Sequence, residues 1–182
     1  GEAEDSITLE QIRQIPGCTG LMGCLGQYAA GEVWPEENVR DYVEQVHRSG
    51  LEVEVIESVN VHEDIKLGLP TRDRYLENYR KTVANLAKFG VKVIVYNFMP
   101  VFDWLRTDLS HRNPDGSTSL YYDDAELRGL TPASLLERTE KNSNGFVLPG
   151  WEPERLKELR RVLELYADVD DRRLLENYKY FL

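Results

Sequence analysis

Two stretches of the chain share one layout, a helix pattern closed by glycine and followed at once by a strand pattern. In the first, "PEENVRDYVEQVHRSG" sets Val39, Tyr42, Val43 and Val46 on one helical face, with Pro35 near its start and Gly50 as its stop, and "LEVEVIES" follows. In the second, "TRDRYLENYRKTVANLAKFG" sets Tyr75, Tyr79, Val83 and Leu86 on one face, with Thr71 as N-cap and Gly90 as stop, and "VKVIVYNFMP" follows. An apolar segment, "GCTGLMGCL", precedes both and has the length of a strand. The order β-α-β-α-β calls for a parallel sheet covered by helices, with right-handed crossovers. The strand "VKVIVYNF" reads as one buried on both faces, whereas the alternation in "LEVEVIES" turns Glu52 and Glu54 toward something polar.

Past residue 100 the pattern changes. "NPDGST" places Asp115 and Gly116 in the hairpin position between two short strands. "TPASLLERTEK" reads as a helix, "NSNGFVLPG" as a loop, and "EPERLKELRRVLELYADV" and "DDRRLLENYKYFL" as further helices. The expected organisation is a single domain over residues 1–182, with residues 107–150 as a hairpin and loop excursion within it.

Charge narrows the function classes. With 22 basic against 32 acidic residues the 182-residue chain carries a formal charge of −10, which argues against broad contact with nucleic acid or an anionic membrane. No run of 18 apolar residues and no signal-type segment is present, so the expectation is a soluble, cytoplasmic protein. Cys18 and Cys24 fit no standard zinc spacing and read as core residues.

In parallel α/β architectures ligands bind at the carboxyl ends of the strands. That rule selects "GQYAAGEVW", "NVHEDIK" and "NFMPVFDWLRTDL". The third mixes Asn97, Asp103, Trp104 and Arg106, a set of hydrogen-bonding, anionic, aromatic and guanidinium groups suited to a polyhydroxylated acid. "HEDIK" reads equally well as a solvated loop, and Arg106 as a surface partner of Asp103 or Asp108. His47 belongs near a helix end and His111 in the excursion; His62, at a strand's carboxyl end, lies over the site.

The blocks "GEVWP", "IESVNVHEDIKLGLPTRDRY", "NYRKTVANLAKFGVKVIVYNFMPVFDWLRTDL" and "NPDGST" resemble, in order and separation, the amino-terminal part of mannonate dehydratase, the hexuronate-pathway lyase. The resemblance runs from about Thr8 to the final "LLENYKYFL". It implies an α/β fold of the eight-stranded (β/α) TIM-barrel type, xylose isomerase-like, of which this stretch gives about three parallel strands. It also implies dehydration of D-mannonate to 2-keto-3-deoxy-D-gluconate with a divalent metal, Mn2+ or Fe2+. The metal stabilises the dianion formed when a proton leaves carbon 2, and a general acid assists the departing hydroxyl.

The family's metal ligands are expected on later strands, from a His-Pro-Asp-Asp block onward, so the 182 residues alone are expected neither to dehydrate mannonate nor to hold manganese tightly. The substrate-side residues implied are His62, Asn97, Asp103 and Arg106, with Lys66 countering the substrate carboxylate. At full length the resemblance points to a homo-oligomer. Gly26 and Gln27 stand where the family usually has a His or Tyr pair, Asn60 where it has proline and Leu105 where it has threonine. The first departure keeps open a second reading, a non-catalytic paralogue that binds a sugar acid or a partner subunit. A metal-dependent sugar isomerase is a third.

Overall fold

The computed structural model describes residues 6–101, 106–131, 134, 137, 138, 141 and 161–182. Chain contacts divide it into two units, Gly1–Phe98 with Asp171–Leu182, and Met99–Asp170.

The first unit opens with α1 (Leu9–Arg13), whose N-cap Thr8 and N3 residue Gln11 form a reciprocal capping box. Strand β1 (Gly20–Gly23) follows, then α2 (Glu36–Arg48), β2 (Glu52–Asn60), α3 (Glu63–Leu67), α4 (Arg72–Lys88) and β3 (Val93–Asn97). The three strands form one parallel sheet in the order β1-β2-β3. Both helix-to-strand repeats are therefore present. Gly50 and Gly90 close their helices at φ 75° and 86°, a backbone region in which a side chain would be strained.

The core joins Val39, Val43 and Val46 of α2 with Val53, Ile56 and Val59 of β2 and Leu86 of α4. The buried positions of β2 are three apart because its pairing shifts twice. Against β1, Leu21 faces Val53 while Met22 faces Val55; against β3, Glu57 faces Val95 while Val59 faces Tyr96. Glu54 and Ser58 are thus the extra residues of two irregularities, and each one resets which side chains face the core.

Strand β3 departs from expectation. It was read as buried on both faces, yet none of its residues is fully buried and Val93 is 51% exposed. The reason is its place at the edge of the sheet, where β2 is its only strand neighbour among the described residues.

The last helix of this unit, α6 (Asp171–Phe181), returns to pack on α3. Its Tyr178 hydroxyl bonds that of Tyr96 at 2.6 Å, Phe181 meets Tyr79 edge-on, and the Arg72 guanidinium lies 3.6 Å over the Tyr180 ring. Buried Asn177 donates from Nδ2 to the Lys66 carbonyl at 2.8 Å and so satisfies a carbonyl at the end of α3. Asn177→Ala is expected to lower the unfolding free energy by about 1–3 kcal/mol, because that carbonyl would stay buried without its partner. A urea titration followed by circular dichroism measures it; an unchanged midpoint would mean that water takes over the bond.

In the second unit β4 (Asp108–Arg112) and β5 (Thr118–Tyr121) form the antiparallel hairpin expected around Asp115 and Gly116, followed by α5 (Asp124–Leu127). Asp115 accepts from the Ser117 amide and hydroxyl at 2.9 and 2.7 Å and fixes the turn. Residues 161–166 are helical, with Val162 packed against Val101. Most of the helix expected at "TPASLLERTEK", the loop "NSNGFVLPG" and the start of the helix after it lie outside the described residues. No helix among the described residues is long and apolar enough to cross a membrane.

Candidate functional site

The segment "HEDIK" is no solvated loop: it opens a short helix, α3, with His62 as the N-cap. The His62 Nδ1 accepts from the Asp64 amide at 3.1 Å, Glu63 and Asp64 occupy the positive first turn, and Gly68 ends the helix in the left-handed conformation. The Asp64 carboxylate in turn accepts from the Thr71 hydroxyl. This corrects one expectation: Thr71 stands at the N-cap position of α4, but its side chain makes no cap bond there and serves Asp64 instead.

Three elements meet around His62. Its ring stacks on Tyr75 of α4 at 3.6 Å between centroids and 11° between planes. Gly31, in the loop after β1, closes on the pair: a β-carbon built there would lie 2.5 Å from Tyr75 Cδ1 and 2.9 Å from His62 Cδ2. With its φ of 86° as well, position 31 accepts only glycine without rearrangement. The glycine of "GEVW" is thereby explained by the approach of an aromatic stack.

The loop's course is held from α4. Asn78 donates to the Gly31 carbonyl at 2.9 Å, Thr82 accepts from the Trp34 amide at 3.1 Å, and Asn85 donates to the Trp34 carbonyl at 2.9 Å. These three residues fall at i, i+4 and i+7, one face of the helix. Trp34 itself is buried in the core. A cleft of about 460 Å³ lies beside this junction, lined by Tyr28, Gly31, Glu32, Arg74, Tyr75 and Asn78.

At the ends of β2 and β3 the polar side chains form a chain. Asn97 donates from Nδ2 to Ser58 Oγ at 2.8 Å, and Ser58 Oγ donates to Asn60 Oδ1 at 3.0 Å. The irregularity at Ser58 is what brings its hydroxyl between the two amides. Asn60, where the resemblance leads one to expect proline, thus has a bonding role.

Of the residues named from sequence, His62 and Asn97 stand at the carboxyl ends of adjacent strands. Lys66 is buried, its Nζ 2.7 Å from Glu63 Oε1. Arg106 is half-buried and belongs to the second unit, and Asp103 lies outside the described residues. His47 pairs with Glu52 at 2.8 Å at the end of α2, and His111 stacks on Tyr121 within the hairpin. Sequence reasoning missed Ser58, Tyr75, Asn78, Thr82 and Asn85. A polar residue at every turn of the apolar face of α4 was the available signal.

Burial pushes the His62 imidazole below its usual 6.5, outweighing the upward pull of Asp64 and Glu63; Lys66 and Arg74 add to the lowering. Its Nδ1 lies 3.5 Å from Asp64 Oδ1, but with the lone pair taken by the Asp64 amide this is no ion pair while the ring is neutral. Since the folded state takes up this proton at lower pH than the unfolded chain, the group's contribution is complete above about pH 6.5. It declines as pH falls from there toward the lowered folded value. The loss of stability between pH 7 and pH 5 is therefore expected to be smaller in His62→Phe than in the parent protein. Parallel curves from paired denaturation series would show that His62 does not titrate differently on folding.

Among the described residues no three His, Cys, Asp or Glu side chains converge to hold a metal ion. The side chains at the ends of β2 and β3 offer a ligand hydrogen bonds from His62, Ser58, Asn60 and Asn97.

Parallel strands, intervening helices and the placement of their ends define part of a (β/α) TIM barrel. The chain belongs to the D-mannonate dehydratase (UxuA) family, whose family model matches residues 1–182. It is 70% identical over 183 residues to the mannonate dehydratase of Lachnoclostridium phytofermentans, covering 100% of this chain and 51% of that protein. It is 60% identical over 182 residues to the mannonate dehydratase of Thermotoga neapolitana, again covering 100% of this chain and 51% of that one. The crystal structure of mannonate dehydratase from Streptococcus suis serotype 2 superposes with a TM-score of 0.75 at 38% identity, covering 98% of this chain and 45% of that one. The chain thus spans about half the length of the relatives it matches.

Proposed function

We propose that this chain forms the substrate-side part of a hydro-lyase that dehydrates D-mannonate to 2-keto-3-deoxy-D-gluconate. The observation that carries the reading is the row of hydrogen-bonding side chains at the ends of β2 and β3, His62 on one and Asn97 on the other, on the family's own sequence blocks. A polyhydroxylated acid needs donors and acceptors at several fixed points, and these side chains are themselves fixed by second partners. In this reading His62 donates from Nε2 and Asn97 contacts a hydroxyl, while Asp103 and Arg106 stay substrate-side residues by the family resemblance alone, as does Lys66.

The carbon 2 proton is acidified by the adjacent carboxylate only weakly, so the reaction calls for a Lewis acid. The Mn2+ or Fe2+ implied by the family resemblance is placed by this reading on side chains other than those described. The test is formation of the keto acid from D-mannonate by the protein at its natural length, with manganese and then iron supplied. Turnover of mannonate well above that of other hexonates is the expected result. Absence of turnover with either metal, in a folded protein that still binds mannonate, would favour the non-catalytic sugar-acid binder.

A further inference from the structure

Four constraints converge on the His62 ring. One face lies against Tyr75, its Cδ2 edge abuts Gly31, its Nδ1 accepts from the Asp64 amide, and its position is set by the end of β2. Only the Nε2 corner is without a partner among these. A neutral imidazole carries one N–H, and with Nδ1 accepting, that hydrogen resides on Nε2. The opposite tautomer would set two donors, Nδ1–H and the Asp64 amide, against each other at 3.1 Å. It would also leave a first-turn amide of α3 unsatisfied. Rotating the ring by half a turn would exchange Nδ1 for Cδ2, set a C–H against the Asp64 amide and forfeit the cap bond.

We propose that Tyr75 is a positioning residue of the site: by stacking on His62 against Gly31 it locks the imidazole as the neutral Nε2–H tautomer, a hydrogen-bond donor to the sugar acid. The proposal rests on the reading that His62 meets the substrate. It makes His62 a fixed neutral donor rather than a general base, since a ring whose Nδ1 is committed to a main-chain amide has no free lone pair. Burial of the ring acts in the same direction by disfavouring the cation. Fixing the tautomer beforehand removes a reorientation step from binding, which is how a supporting residue out of reach of substrate affects catalysis.

The experiment uses the protein at its natural length, labelled with 15N-histidine, and reads the His62 ring nitrogens by NMR beside D-mannonate kinetics. The parent protein and Tyr75→Phe, which keeps the stack, should both show a bare Nδ1 and a protonated Nε2. Tyr75→Leu should show mixed tautomers and lose about tenfold in kcat/KM, through KM more than kcat, because the donor is lost from ground and transition states alike. Gly31→Ala keeps Tyr75 but drives a methyl group against both rings, so it should show mixed tautomers even where Tyr75→Leu fails to fold. A protonated Nδ1 in the parent protein, or an unchanged tautomer in both Tyr75→Leu and Gly31→Ala, would overturn the lock. Full activity of His62→Phe alongside a locked parent spectrum would instead remove the reading of the site, and the positioning role with it.

Discussion

Replacing Trp34 by alanine is expected to lower the unfolding free energy by about 3–5 kcal/mol, the range for deleting a large buried aromatic. Trp34 is 4% exposed and packs in the cluster with Leu25, Val39 and Leu86. Its amide and carbonyl are held by Thr82 and Asn85 whatever the side chain, so the loop cannot collapse freely into the space left behind. A cavity that its surroundings cannot fill lies at the costly end of such substitutions. Urea denaturation of the parent and variant proteins measures the difference. A loss below about 1 kcal/mol would mean that the loop after β1 relaxes despite its main-chain bonds.

His62→Phe is expected to lower kcat/KM for D-mannonate by about a hundredfold, the scale for losing a well-placed donor in a preorganised site. The substitution is informative because phenylalanine retains a ring for Tyr75 to stack on while removing both nitrogens. Loss of the cap bond to the Asp64 amide should cost about 1 kcal/mol of stability at the same time. The two effects are separable, one read in turnover and the other in unfolding. Unchanged turnover with reduced stability would make His62 a helix cap and nothing more.

Much of the fold was legible because the relevant signals are local. In α2 the apolar spacing and the closing glycine coincide with Glu36–Arg48, and the hairpin follows from one dipeptide. Strand β2 was legible as a strand but not in its phase. Two extra residues break the alternation, and nothing in "LEVEVIESVN" marks Glu54 and Ser58 as the ones that slip. The exposure of β3 was illegible for the opposite reason, since an apolar strand reads as buried whether or not neighbours are present to bury it.

For the candidate site the sequence located the right strand ends but missed the supports. His62 was identified by position, while its cap bond depends on α3, which is too short for periodicity to reveal. Thr82 by itself carried no signal in the sequence. It is fully buried because its hydroxyl meets a main-chain amide 48 positions away, a pairing that only the folded chain creates.

The row of Asn78, Thr82 and Asn85 has a consequence for how this part of the protein can change. All three address main-chain atoms of the loop, at Gly31 and Trp34, and none grips a side chain. The loop's path is therefore independent of most of its letters. The exposed Gly26, Gln27 and Ala30 can be exchanged without moving the rail on which they ride, while Gly31, Trp34 and the Tyr28 that packs beside Trp34 cannot. Gly26 and Gln27 then need not be read as damage; they are settings at the adjustable end of a mount whose other end is bolted to α4.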